Sequence, residues 1–221
     1  MTHGLPRARR FVVLGGLAAL GAALFVPFLQ AGAPTPLSGA VAGAFVLAAT
    51  AVSAVATWVG LGWGDRAALP MPLLRALEAR TPLEISRSAL SRALVSGAVL
   101  GLAGLMMLRL LHIPTGGGSL TVRIGSALFA AITLESVLHL AVMSGVVRAT
   151  GRVNLGILVA ALVYVGFHLA TLGGQPTAVV AVATVGNGLG GLLFGWLYAR
   201  DGYEYLVLAH LVAHATTVGL A

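Results

Sequence analysis

The sequence predicts an all-α protein, a polytopic transmembrane helical bundle with about seven spans. Hydrophobic residues make up 58% of its 221 residues, and charged residues make up only 9%. Its mean hydropathy of +0.99 lies outside the range of soluble globular domains, which need more polar surface to face water. Residues 1–221 are therefore interpreted as a single integral membrane domain.

The spans can be placed because crossing the hydrocarbon core takes about 20 mainly apolar residues. Seven such segments occur, each bounded by charged residues, by Gly/Pro turns or by both. They lie near residues 11–30, 38–63, 88–111, 124–147, 154–173, 177–198 and 204–221. The first could instead be a signal peptide cleaved within residues 31–33, but its apolar stretch exceeds the about 7–15 residues typical of such peptides. We therefore predict a span there as well.

The orientation follows from the arginines, which supply all of the positive charge because the chain has no lysine. Those near the span ends fall almost entirely on one side: Arg7, Arg9, Arg10, Arg66, Arg75, Arg80, Arg87, Arg148, Arg152 and Arg200. The opposite loops, 31–37, 112–123 and 174–176, carry only Arg123. Arginine enrichment marks the cytoplasmic side, so the sequence predicts a cytoplasmic N-terminus. No continuous basic stretch occurs, which argues against nucleic-acid binding.

The predicted cytoplasmic loop, residues 66–87, contains "PLLRALEAR" at 72–80. Its leucines and charged residues alternate at helical spacing, which predicts a short helix in the membrane interface. A solvated linker is the alternative. After it, Thr81 as N-cap, Pro82 and Glu84 predict that the next helix begins there.

Two glycine clusters predict close helix packing, because small residues let helix backbones approach each other in lipid. They are "GAVAG" at 39–43 and "GLLFG" at 191–195. Cysteine is absent, which excludes disulfides, iron–sulfur clusters and thiol nucleophiles.

Apart from charged residues near the span ends, such as Arg109, five acidic or imidazole side chains fall inside predicted spans: Glu135, His139, His168, His210 and His214. Glu135 lies about 12 residues from either end of its span, or roughly 18 Å at about 1.5 Å per residue. An acid at that depth costs several kcal/mol unless it is paired, hydrated or protonated, and it therefore indicates a functional site. The spacing of four residues puts Glu135 with His139, and His210 with His214, on common helix faces. We expect these faces and His168 to line one wet pocket.

Three mechanisms suit such a group of residues. The carboxylate could activate water while the imidazoles stabilise an oxyanion. Glu135, His168 and His210 could instead hold a zinc ion, although "HExxH" is absent. A proton relay in a transporter is the third use.

The segment "GLGGLLFGWLYARDGYEYLVLAHLVAH", residues 188–214, resembles the CPBP family of intramembrane endopeptidases, which includes the type II CAAX prenyl protease and bacterial Abi proteins. Its "GWLYARDGYEY" is similar to the family's turn, and His210 falls on the motif histidine. His168 matches the histidine of "FxxxH", with Tyr164 in place of Phe. Of the family's "EExxxR", only Glu135 is present.

The resemblance covers residues 120–217 and departs from the family at three further positions. Leu134 stands where the first motif has its other acid, His139 where it has arginine, and His214 where Asn or Asp is usual. The departures leave open a catalytically inactive scaffold or a bacteriocin self-immunity protein.

The resemblance implies a peptidase that needs no cofactor. In it Glu135 activates water, His168 and His210 stabilise the oxyanion, His214 replaces the usual Asn or Asp, and His139 orients Glu135. The implied partner is a peptide or lipidated peptide, such as a prenylated C-terminus, reached within the membrane lipids.

Overall fold

The computed structural model of the protein describes residues 6–32, 37–111, 119–170 and 172–219. Over these ranges it contains eight helices and no strand, which confirms the all-α prediction. The helices are α1 (Pro6–Gly32), α2 (Gly39–Arg66), α3 (Pro72–Ala79), α4 (Arg87–Leu110), α5 (Leu120–Thr150), α6 (Val153–Ala170), α7 (Thr177–Arg200) and α8 (Tyr203–Gly219).

Six of these helices, all but α3 and α8, are long and apolar enough to cross a membrane. The chain is thus an integral membrane protein by the length and composition of its helices. The seventh predicted span corresponds to α8, which has 17 residues. Parts of several predictions lie outside the described residues: residues 33–36 of the first loop, which include residue 33 of the cleavage segment, residues 112–118 of the second loop, residue 171 of the fifth span, and the last two residues of 204–221.

Helix α8 packs most extensively against α4, and glycine makes this contact close. A Cβ atom added at Gly97 or Gly101 would overlap the carbonyl oxygens of Ala209 and Ala213, respectively, on α8. Because these glycines recur one turn apart, the two backbones approach along a stripe of small residues. The contact fixes α8 beside the rest of the bundle.

The glycine clusters predicted from the sequence differ in their environments. A Cβ atom at Gly191 would lie 2.9 Å from Ala161 Cα, and one at Gly195 would lie 3.0 Å from Ile157 Cγ2. The prediction for "GLLFG" is therefore confirmed, because both glycines permit close packing of α7 on α6. It is wrong for "GAVAG", since Gly39 and Gly43 have no neighbour within 4 Å of such a Cβ atom.

The short helix predicted for the loop after α2 is present as α3, whereas the predicted start of the next helix is wrong. Residues 81–86 are not helical, and α4 begins after Ser86, whose Oγ accepts a 3.3 Å bond from Ala89 N. The backbone N–H of Ser86 donates to Tyr205 Oη at 3.1 Å. This bond to α8 holds the segment extended, so the cap at Ser86 replaces the one predicted at Thr81.

Helix α5 changes its winding near its centre. Residues Phe129–Leu134 and Ser136–Met143 are π-helical, and Glu135 lies between them. Such wide turns are rare and are frequent at functional sites. Nothing in the sequence pattern predicted them.

Candidate functional site

The centre of the site is Glu135, whose side chain exposes no surface. Its Oε1 atom lies 2.6 Å from Nδ1 of His210 on α8. Its Oε2 atom is hydrogen-bonded to Nδ1 of His139, one turn along α5. Both carboxylate oxygens are thus occupied by imidazole nitrogens from two different helices.

His139 is also fully buried, and it joins a third helix to the site. Its Nε2 atom donates a 3.2 Å hydrogen bond to the carbonyl oxygen of Gly191 on α7. The ring is therefore held at both nitrogens, between the carboxylate and the α7 backbone. The resemblance implied that His139 orients Glu135, and the structure places it in direct contact with that carboxylate.

His210 is 4% exposed and lies within a row of parallel rings. The Phe194 ring stacks on one side at a centroid distance of 4.7 Å, and the His214 ring stacks on the other at 5.1 Å. Of the two histidines on this face of α8, His210 contacts the carboxylate of Glu135, and His214 contacts the ring of His210. Unlike Glu135 and His139, His214 keeps partial exposure.

His168 lies on α6 at the edge of the site, and its role in stabilising an oxyanion stays a prediction. Its Nδ1 atom donates a 2.9 Å bond to the carbonyl oxygen of Tyr164, four residues earlier on α6. Its ring lies 4.4 Å from the Tyr164 ring, which is itself 6.2 Å from the His210 ring. His168 therefore borders the site across Tyr164, and the two oxygens of Glu135 are taken by other histidines.

The surroundings of the carboxylate are enclosed. Tyr164 and Phe194 are 5% and 2% exposed, and each contacts both the His139 and the His210 ring. The sequence predicted a wet pocket at this point. In the structure, Glu135 is enclosed by aromatic and imidazole rings, with the partly exposed His168 and His214 at the edge of this cluster.

The segment Asp201–Tyr205 comprises the turn after α7 and the first three residues of α8, and it positions His210. Each of its five residues has a structural role. Asp201 accepts two hydrogen bonds from Arg92 on α4, at 2.9 and 2.6 Å. Gly202 has a φ of +128°, and a Cβ atom there would lie 2.6 Å from Pro72 Cδ. Only glycine combines this backbone conformation with such a close approach.

The other three residues, Tyr203 to Tyr205, contact α5, α3 and the residue before α4. Tyr203 Oη lies 3.0 Å from Ser136 Oγ on α5, and Tyr205 Oη accepts the Ser86 bond. Glu204 accepts a 2.6 Å bond from the backbone N–H of Leu74, at the start of α3. "DGYEY" thus joins α3, α4 and α5 to the start of α8, seven residues before His210. Sequence reasoning used this motif only as a family signature and assigned none of these contacts.

The side chains do not fit a metal site in this arrangement. Within the ranges the structure describes, no group of three His, Asp or Glu side chains could hold a metal ion. The Nδ1 atoms of His139 and His210 face carboxylate oxygens, and that of His168 faces a backbone carbonyl. Zinc ligands would have to converge on one point about 2 Å away from each donor atom.

The chemistry available to the site is that of a carboxylate coupled to two imidazoles. A buried carboxylate can fix the orientation of an imidazole and stabilise its protonated form, and an imidazole can then accept or donate a proton near neutral pH. No family model, curated protein or solved structure matches the chain. The indications of function are therefore the geometry of these residues and their motif resemblance.

Proposed function

We propose that this protein is an intramembrane peptidase of the CPBP type. It hydrolyses a peptide bond with a water molecule activated by Glu135, either directly or through an imidazole bonded to it. The substrate is a peptide or lipidated peptide that enters from the membrane. The protein acts in a bacterial inner or plasma membrane with its N-terminus in the cytoplasm.

The observation that carries this proposal is the bonding of Glu135 to His139 and His210 in a bundle of apolar helices. Three ionisable groups in one buried contact are costly to the fold. Such costly clusters are concentrated at functional sites, because catalysis needs groups that exchange protons. The resemblance over residues 120–217 indicates which reaction.

A second candidate is a catalytically silent membrane scaffold or self-immunity protein with the same fold. It is favoured by the enclosure of Glu135, which exposes no surface, and by Leu134 in place of an acid. In that case Glu135, His139 and His210 only link α5, α7 and α8. The two candidates differ in whether Glu135 is needed for turnover or only for stability.

The deciding experiment measures cleavage of a lipidated peptide library by the purified protein in liposomes, for the wild type and for Glu135→Gln. Glutamine keeps the size and one acceptor oxygen but cannot accept a proton, so kcat/KM should fall by at least about 10²-fold, the lower limit for loss of acid–base catalysis. Ala215→Gln, at an exposed position of α8, is the matched control and should retain wild-type turnover.

Two results would reject the peptidase. One is wild-type protein that cleaves no member of the library. The other is cleavage that continues unchanged in Glu135→Gln. A protein whose protective phenotype in cells persists in Glu135→Gln, without any cleavage, would support the silent scaffold instead.

A further inference from the structure

The protons of the triad Glu135, His139 and His210 can be assigned from its hydrogen bonds. Gly191 O is a carbonyl oxygen and can only accept, so His139 Nε2 carries a proton. Each of the two imidazole–carboxylate contacts needs one proton between its atoms. Three hydrogen bonds therefore require at least three protons among the three side chains. A fourth proton, on His210 Nε2, would give these buried side chains a net positive charge, which the apolar surroundings oppose.

Three protons leave the triad with no net charge. This count is met by an ionised Glu135 beside a doubly protonated His139, or by a protonated Glu135 that donates from Oε2 to His139. In both arrangements, His210 is neutral and donates from Nδ1 to Oε1. Placing the acid proton on Oε1 would instead leave His139 doubly protonated and give the buried triad a net positive charge, which the apolar surroundings oppose.

The neutral triad fixes the tautomer of His210. With its only proton on Nδ1, the ring presents an unprotonated nitrogen at Nε2, on the edge that faces away from Glu135. No described group hydrogen-bonds to this atom, and His210 is next to the partly exposed His214. A nitrogen in this state accepts a proton and cannot donate one to an oxyanion.

We infer that His210 Nε2 is the atom that takes the proton from the attacking water, and that Glu135 is the positioning residue behind it. This inference rests on the proposed peptidase function and changes the division of roles within it. The water transfers one proton to Nε2, its oxygen forms a bond to the peptide carbon, and the C=O π pair moves onto the carbonyl oxygen. The imidazolium then returns the proton to the amide nitrogen as the C–N bond breaks.

Two substitutions of His210 separate this role from oxyanion stabilisation. Asparagine can place an amide N–H near the Nδ1 position and keep the bond to Glu135, whereas glutamine can place an N–H donor near the Nε2 position. A proton-accepting Nε2 predicts that His210→Asn and His210→Gln both lower kcat/KM by about 10²- to 10⁴-fold. We also expect added imidazole to restore at least part of the activity of His210→Ala, with Ala215→Gln as the unaffected control.

A measurement without turnover tests the tautomer itself. The ¹⁵N spectrum of histidine-labelled protein in detergent micelles, with the His210 signals identified by their loss in His210→Gln, should show a protonated Nδ1 and an unprotonated Nε2.

A protonated Nε2 in the resting protein, or a His210→Gln variant within tenfold of wild-type kcat/KM, would overturn the inference. Wild-type protein without peptidase activity would overturn the proposed function whatever the tautomer. Activity combined with a protonated Nε2 would overturn only this inference.

Discussion

At Gly60, α2 crosses α5 beside Leu140, the residue after His139. Replacing Gly60 with alanine should destabilise the protein. The added Cβ atom would lie 2.5 Å from Leu140 O and 2.7 Å from Leu140 C. Leu140 follows His139 in the π-helical part of α5. Gly60→Ala therefore presses on the segment that holds two members of the triad.

The size of the effect follows from the overlap. Ordinary contact of a Cβ atom begins at 3.4 Å, so the two backbones must separate by about 0.9 Å. The obstructing atoms belong to a backbone and cannot rotate away as a flexible side chain could. Overpacking of this kind costs about 1–3 kcal/mol, which exceeds the gain of at most about 1 kcal/mol from replacing glycine by alanine in a helix.

The free energy of unfolding can be measured by titrating the protein in mild detergent with a denaturing one. Gly43→Ala is the matched control, because Gly43 lies on the same helix with nothing within 4 Å of the added atom. We expect Gly60→Ala to be less stable than wild type, and Gly43→Ala to be as stable or slightly more stable. Equal stability of the two variants would refute the packing argument.

Two further predictions concern the turn before α8. Tyr203→Phe removes the partner of the fully buried Ser136 hydroxyl. The free energy of unfolding should therefore fall by about 1–3 kcal/mol, the cost of an unsatisfied buried group. An unchanged free energy of unfolding would contradict this. Glu204→Ala removes the acceptor of the Leu74 N–H bond and should release α3. A cysteine introduced by Leu74→Cys, at a 6% exposed position of this cysteine-free chain, should then react about tenfold faster with a thiol reagent than it does when Glu204 is present. Leu77→Cys, 39% exposed on the same helix, is the control, and an impermeant reagent should reach it only from the cytoplasmic side if the proposed orientation is right.

The fold could be predicted from the sequence to the extent that it depends on apolar length. Six of the seven predicted spans correspond to helices long and apolar enough to cross a membrane, because a run of about 20 apolar residues is a local property. The start of α4 could not be predicted, since Ser86 is fixed by Tyr205, more than 100 residues later. The different outcomes for Gly43 and Gly191 have the same cause, because the sequence does not show which helix faces which.

The members of the site could be predicted more readily than their roles. Glu135, His139 and His210 were identified because ionisable groups are expensive in hydrocarbon. Their bonding pattern depends on the side-chain geometry of three helices, and so does the position of His168 against its own backbone carbonyl. The contacts of Asp201, Glu204 and Tyr205 were missed because such residues at a helix start are usual at the membrane surface and carry no signal of a partner.

The two histidines bonded to Glu135 differ in when they become available during synthesis. His139 belongs to the same helix as Glu135, whereas His210 is made 75 residues later. An acid at the centre of an inserting helix costs a few kcal/mol, and α5 is synthesised before α8. A partner one turn along the same helix can share a proton with Glu135 during that interval. His139 thus gives α5 a means of insertion that does not depend on the completed bundle.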